Sequence, residues 1–464
     1  MKSRASAHAN PSLWRRLSPP QLLAGSFGLL ITAGTLTLRL IPGLHVGDSI
    51  TWLDALFTAT SAVCVTGLIV VDTATYFTPA GQAVILVLVQ LGGLGIVTFT
   101  TAIIVAVGGR LSLRNEVIVS GMSDITPHID FRVLVRNVLL FTAGFEAAGA
   151  ILLAALWTPE FGVAGAVWPA IFHSVSAFCN AGFSVFSDSL MGFEESPLVQ
   201  VVVMLLIVSG GVGFLALNEI YFVRRNVGKK MIGRLSVHTR LVLVMTCCLL
   251  AAGWLLVTAF EWNGTLAHLP IWARPLNGLF ASVTARTAGF NTIDYSAASE
   301  STNFLTILLM FVGGSPGSMA GGVKTTALAL VGLLAWSRLR GQHVTAVWKR
   351  SIPPETVQRA VGVIVVSFAI VTAGIFILTT TEAGVPTEQR STFLSHMFEA
   401  TSAFGTVGLS MGVTPTLSTP GRWAIIMLMF IGRVGPLTIA AAMARSVHVP
   451  SGGFRDAYED VAVA

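Results

Sequence analysis

Four short phrases constrain this chain more than any other feature. They read Thr60-Ser61-Ala62-Val63-Cys64-Val65-Thr66-Gly67-Leu68, Ser174-Val175-Ser176-Ala177-Phe178-Cys179-Asn180-Ala181-Gly182-Phe183, Ser282-Val283-Thr284-Ala285-Arg286-Thr287-Ala288-Gly289-Phe290 and Thr401-Ser402-Ala403-Phe404-Gly405-Thr406-Val407-Gly408-Leu409. The closing glycines at 67, 182, 289 and 408 are 115, 107 and 119 residues apart. A near-constant period means one supersecondary unit used four times. Around the phrases run apolar stretches of the length needed to cross roughly 30 Å of hydrocarbon at about 1.5 Å per residue. Only 11% of the 464 residues are charged, 53% are hydrophobic and the mean hydropathy is +0.77. A soluble chain carries about 25% charged residues, so too few charges exist here to coat soluble domains. Collagenous and disordered readings fail on apolar content. The chain therefore reads as an all-α, multi-pass integral membrane protein.

Eight candidate spans lie near residues 21–42, 79–106, 133–157, 197–223, 238–260, 304–336, 358–381 and 421–446. The first has full spanning length and no small-residue cleavage site after it, so it reads as a retained helix rather than a signal peptide. With both termini inside, 21 of the 28 basic residues fall in inner segments and 13 of the 22 acidic residues in outer ones. The positive-inside rule thus predicts N-in and C-in. Arg39, Arg274, Arg286, Arg390 and Arg422 count as outer, while Lys324, Arg433 and Glu146 stand at membrane depth. An acidic outer mouth would concentrate cations, although acids also collect wherever basic residues are excluded.

Each long outer connection contains an apolar run too short to span, which suggests a re-entrant helix. Each run closes on one of the four phrases. The predicted unit is helix, short re-entrant helix, glycine-containing extended strand, helix, arranged four times around a pseudo-fourfold axis. Its boundaries are 21–132, 133–236, 237–356 and 357–446, between cytoplasmic termini 1–20 and 447–464. Non-helical backbone at membrane depth leaves carbonyls unpaired and is tolerated only where it lines a wet cavity or is buried in protein. Four such strands on one axis offer a ring of carbonyl oxygens able to replace the water shell of a cation. Glycine permits the backbone angles involved, and pore helices entering from outside aim their partly negative C-termini at the centre.

These phrases resemble the four filter segments of the Trk/Ktr/HKT potassium-transport superfamily, over residue 21 to the C-terminus. With eight spans and no extra N-terminal pair, the resemblance is to its Ktr-type translocating subunits. It implies potassium uptake through a channel-like pore in the cell membrane. Carbonyls of Val65, Thr66, Asn180, Ala181, Thr287, Ala288, Thr406 and Val407 would hold the ion, and Gly67, Gly182, Gly289 and Gly408 would permit the geometry. Serine replaces the first filter glycine in some sodium-preferring plant members, whereas residue 67 is glycine here. The resemblance further implies a homodimer, a KtrA-like cytoplasmic ring of nucleotide-binding regulatory subunits, no cofactor in this chain and no nucleic-acid partner. Sodium dependence is left open.

The sixth span is too long for one crossing and carries Gly313-Gly314-Ser315-Pro316-Gly317-Ser318-Met319-Ala320-Gly321-Gly322-Val323-Lys324-Thr325-Thr326, so it must break near its middle. A phosphate-binding loop is excluded, because Val323 rather than lysine follows Gly322. In the resemblance, 313–326 is an intramembrane gating loop, with Gly313, Gly314, Gly317, Gly321, Gly322, Lys324 and Arg433 as gate residues. Mid-membrane charges invite a functional reading; the structural alternative pairs Arg433 with a carboxylate such as Glu146. Gly92-Gly93-Leu94-Gly95 and Gly210-Gly211-Val212-Gly213 read as close helix packing. His173 and His396, at the start of re-entrant helices, read as structural, and Cys64, Cys179, Cys247 and Cys248 as small buried hydrophobes. Two other classes compete: an ion-coupled carrier working by alternating access, which favours two inverted halves, and a membrane enzyme, for which no nucleophile or metal constellation stands out.

Overall fold

The computed structural model describes residues 19–106, 131–225, 235–384 and 392–436. The terminal segments 1–20 and 447–464 fall almost wholly outside those residues, as do Arg110, Arg114, Lys229, Lys230, Arg234, Arg390, Arg445 and Arg455.

The first quarter of the chain forms α1 (Pro19–Leu40), α2 (Trp52–Val63) and α3 (Pro79–Ala106). The second forms α4 (Phe131–Phe178), α5 (Pro197–Val212) and α6 (Phe214–Arg225). The third forms α7 (Val237–Glu261), α8 (Ala273–Thr284), α9 (Glu300–Phe311) and α10 (Thr325–Leu339). A two-stranded antiparallel hairpin follows, β1 (Ala346–Val347) and β2 (Arg350–Ser351), and then α11 (Pro354–Thr381), α12 (Phe393–Gly405) and α13 (Thr419–Val434). Helix starts are written locally: Thr51, Ser236, Ser299, Thr392 and Ser418 each accept the amide three residues on, which satisfies an otherwise orphaned donor.

Among the described residues, α1, α4, α7 and α11 contain the stretches long and apolar enough to cross a membrane: Gln21–Leu40, Val138–Phe178, Val237–Glu261 and Pro354–Thr381. α4 is two helices butted at Gly162 (φ 70°, ψ 166°), so its short second part, residues 163–178, follows the span without the intervening loop expected after residue 157. The later helix of every quarter is broken. α3 breaks at Gly95 (φ 37°), α5 and α6 are separated by Gly213 (φ 90°), α9 and α10 by residues 312–324, and α13 stops at Gly435 (φ 93°). Of these, only the break in 304–336 was expected; the continuous helices expected over 79–106 and 197–223 are corrected, and residues 437–446 of the last span lie outside the described residues. Left-handed φ is cheap only for glycine, which is why these breaks fall where they do.

Packing between quarters is cyclic. α3 packs on α4, α5 on α8, α9 on α12, and α13 returns to α2. Arg422, at the start of α13, closes the circle with an ion pair to Asp54 of α2. Two buried carboxylates brace the outer ends. Glu261 accepts from Ser299 N and Oγ at 2.9 and 2.7 Å, and Glu382 accepts from Ser418 Oγ at 2.6 Å. With Glu399, also buried, they are withdrawn from the outer surface, so the acidic mouth inferred from the charge count is weaker than the count implied. Leu29, Leu140, Ile151, Leu255, Phe368 and Phe376 stand exposed along the long helices. So much outward apolar surface suits lipid and not water. Cys64 and Cys179 are buried as expected, and Cys247 and Cys248, a pair that also reads from the sequence as ordinary lipid-facing or packing residues, are exposed on the outward face of α7.

Candidate functional site

Four short helices, α2, residues 163–178, α8 and α12, each run into one of the repeated phrases. Two residues before each closing glycine the backbone turns left-handed, at Val65 (φ 56°), Asn180 (φ 59°), Thr287 (φ 72°) and Thr406 (φ 50°). The glycines follow at φ 91°, 70°, 81° and 92°. Three of the four non-glycine residues are β-branched, for which such angles are strained by about 1–3 kcal/mol each and cluster at functional sites.

The four strands meet in a ring. A Cβ built on Gly67 would collide with the carbonyl oxygen of Ala181, one on Gly182 with that of Ala288, one on Gly289 with that of Val407, and one on Gly408 with that of Thr66, each under 3.0 Å. Every oxygen named belongs to the residue just before the next quarter's glycine, and the fourth strand returns to the first. Hydrogen bonding fixes each strand from behind. Amides of Thr66, Ala181, Ala288 and Val407 donate back to Ser61, Ser176, Thr284 and Ser402 carbonyls at 2.8, 2.7, 2.9 and 2.9 Å. Ser61 Oγ and Ser402 Oγ accept from Gly67 N and Gly408 N, while Ser176 Oγ and Thr284 Oγ1 donate to Phe183 and Phe290 carbonyls. Among the described residues, no donor reaches the carbonyls of Val65, Thr66, Asn180, Ala181, Thr287, Ala288, Thr406 or Val407. Buried carbonyls are ordinarily paired, so eight unpaired ones on converging strands form a set of free ligands.

Residues 312–324 lie against this ring. A Cβ on Gly313 would meet Thr287 Cγ2 at 3.2 Å, and one on Gly321 would meet the Thr406 hydroxyl. Gly317 and Gly322 are left-handed (φ 71° and 62°). Gly314 has no room for a side chain, with Ala320 Cβ at 2.6 Å and Gly211 O at 2.8 Å. The break at Gly213 frees carbonyls at the end of α5, and the loop uses them: Ser315 N donates to Gly211 O at 3.1 Å and Met319 N to Gly210 O at 3.2 Å. Ser315 Oγ reaches Gly211 O and Val212 O. Arg433 Nη1 donates to Met319 O and Nη2 to Gly92 O at 2.7 Å, so one guanidinium joins the loop to α3. Pairing of Arg433 with Glu146 is corrected: Glu146 accepts from Gln90 Nε2 at 3.1 Å instead. Lys324 Nζ donates to Ala320 O within the loop at 2.6 Å.

Sequence reasoning missed two features. Gly92, Gly210 and Gly432 pack against the carbonyls of Val63, Phe178 and Phe404, where each short helix ends. Close packing was therefore correct for the first glycine of each string, but the glycine three residues on breaks the helix. The spacing recurs as Gly92/Gly95, Gly210/Gly213 and Gly432/Gly435, with Met310/Gly313 in the third quarter, and could have been read from the sequence. The second is Arg286, counted as an outer charge. It is 7% exposed, and Nη2 donates to Gly313 O at 3.1 Å. Its signal was a charged residue inside a phrase otherwise made of small and apolar ones. His173 lies well inside residues 163–178 rather than at their start, bonded to Pro169 O and Ser184 Oγ at 2.8 and 2.9 Å.

Residues 20–456 match the TrkH family, described as a cation transport protein. The chain is 40% identical over 436 residues to the Ktr system potassium uptake protein B of Bacillus subtilis, covering 93% of this chain and 94% of that protein. It is 36% identical over 430 residues to the potassium/sodium uptake protein NtpJ of Enterococcus hirae, covering 92% and 93%. The crystal structure of the potassium transporter TrkH from Vibrio parahaemolyticus superposes with a TM-score of 0.72 at 20% identity, covering 95% of this chain and 87% of that one. At that identity the match speaks for the fold alone.

Proposed function

The chain belongs to the TrkH family of cation transport proteins, and from that premise we propose that it takes up potassium across the cell membrane through one pore on a pseudo-fourfold axis. Units 21–132, 133–236, 237–356 and 357–446 each contribute helix, pore helix, filter strand and helix, making eight crossings with both termini inside. A potassium ion exchanges its water for the carbonyls of Val65, Thr66, Asn180, Ala181, Thr287, Ala288, Thr406 and Val407. Gly67, Gly182, Gly289 and Gly408 let the strands approach closely enough to share it. The C-terminal ends of four short helices add favourable potential for a cation. The single observation carrying this reading is the closed ring of strands whose eight buried carbonyls have no donor among the described residues.

Residues 313–326 act as the gate. Gly313, Gly314, Gly317, Gly321 and Gly322 let the loop fold tightly beside the filter, and Lys324 and Arg433 hold positive charge next to the ion path. Arg433 fastens the closed loop to α3, so opening requires its two carbonyl contacts to break. The name "Ktr system" on the Bacillus subtilis relative supports a second, regulatory component, for which we propose a KtrA-like nucleotide-binding ring docked on the basic inner face of a homodimer. Sodium enters as a competing or coupled ion, as the name of the Enterococcus hirae relative suggests. The test is rubidium uptake in potassium-transport-deficient cells expressing the chain with a regulatory partner. Saturable uptake competed by potassium is expected; its absence, with the chain present in the membrane, would overturn the reading.

A further inference from the structure

Arg286 occupies the position that is Cys64, Cys179 and Gly405 in the other three phrases. In those three quarters the carbonyl of the preceding residue, Val63, Phe178 or Phe404, packs against a glycine of the following helix, and the helix is interrupted at the glycine three residues on. The third quarter alone breaks over residues 312–324, and it alone carries arginine. The two asymmetries meet physically. Arg286 Nη2 donates to Gly313 O, the start of the loop, at 3.1 Å, and Nη1 lies 3.5 Å from Thr246 O on α7, while Nε is buried without a partner. The next residue in the chain is Thr287, a left-handed filter residue whose Cγ2 packs against Gly313. No carboxylate pairs with Arg286 among the described residues. A buried arginine kept at such a place does its work through the carbonyls it holds.

We propose that Arg286 is a positioning residue that couples the gating loop to the third filter strand, pinning the loop's origin at Gly313 while Arg433 holds its middle at Met319. The proposal rests on the filter and gate reading above. Release of the Arg433 contacts then swings the loop about a fixed origin, and the filter keeps its geometry. Loss of Arg286 frees the origin, so Thr287 loses its backing and selectivity changes together with gating.

Rubidium and sodium uptake, normalised to membrane abundance, is measured for the parent, Arg286→Gln, Arg286→Lys and Arg433→Ala. Arg433→Ala is expected to raise basal flux with the rubidium-to-sodium ratio unchanged. Arg286→Gln is expected to raise basal flux and lower that ratio about tenfold, the factor corresponding to one hydrogen bond from a charged donor. Arg286→Lys keeps the charge but reaches only one of the two carbonyls, and falls between. It carries the same comparison if the Gln variant does not reach the membrane. A parental ratio in whichever Arg286 variant assembles overturns the coupling and leaves the gate reading standing if Arg433→Ala still raises flux. Unchanged flux in Arg433→Ala overturns the gate reading and the coupling with it.

Discussion

Replacing Gly67 by serine places two separable burdens on the proposed filter. One is conformational: at φ 91° an L-residue is strained whatever the surrounding space, by about 1–3 kcal/mol. The other is steric. The new Cβ falls under 3.0 Å from the Ala181 oxygen, where ordinary contact begins at 3.4 Å, so that carbonyl must retreat by at least 0.4 Å. Inserting atoms into a packed site costs about 1–3 kcal/mol. Here it falls on an oxygen proposed to hold the ion, and 1.4 kcal/mol is about tenfold in an equilibrium. We therefore expect Gly67→Ser to lower the potassium-to-sodium uptake ratio about tenfold, measured as rubidium and sodium flux at equal membrane abundance. Gly43→Ser is the matched control: φ is 82° and nothing lies within 4 Å of the added Cβ. It carries the strain alone and should lower thermal stability while leaving the ratio at the parental value. Equal ratios in the two variants would refute the reasoning, because the clash with Ala181 would then carry no consequence for the ion.

Other expectations follow from the loop and the rim. Ser315→Ala removes a hydroxyl from the freed carbonyls of α5 and should raise basal flux about fivefold, the equivalent of about 1 kcal/mol; parental flux would place the loop's restraint elsewhere. Asp54 and Arg422 close the ring between the fourth and first quarters, so a double-mutant cycle on the melting of the detergent-solubilised protein should give a coupling of about 1 kcal/mol, and strict additivity would count against the latch. Glu261→Gln weakens bonds to the amides of Thr265 and Ser299 and should cost about 1–3 kcal/mol of stability, read as a lower melting temperature with the ion ratio retained.

The elements of the repeated unit were legible because they are local. Ser and Thr caps start helices, a left-handed glycine ends an extended strand, and four copies of one phrase average out chance. The unbroken helices were legible for the same reason: α1, α7 and α11 are runs of apolar residues whose outward faces meet lipid. The broken helices were not. Apolar content continues through Gly95 and Gly213, so hydropathy cannot see a break beside which a sequence-distant stretch of the same quarter's backbone packs. At Gly92 and Gly210 the carbonyls of Val63 and Phe178 press on the helix, and neither neighbour is near in sequence.

Charge shows the same division. Counting residues by side predicts an orientation one segment at a time. Counting failed for Arg286, Glu261, Glu382 and Glu399, which lie in segments assigned outside yet are buried among donors and carbonyls that only folding brings to them. By itself the sequence determined a multi-pass chain, four repeated glycine-closed phrases and one interrupted helix. The tertiary structure decided that the phrases close into a ring, that every quarter's later helix is interrupted at a glycine or, in the third, over residues 312–324, and that Arg286 and Arg433 reach carbonyls of one loop, at Gly313 and Met319. Local periodicity and turn chemistry are written residue by residue, whereas the partner of a freed carbonyl or a buried guanidinium is chosen by whichever segment arrives opposite it.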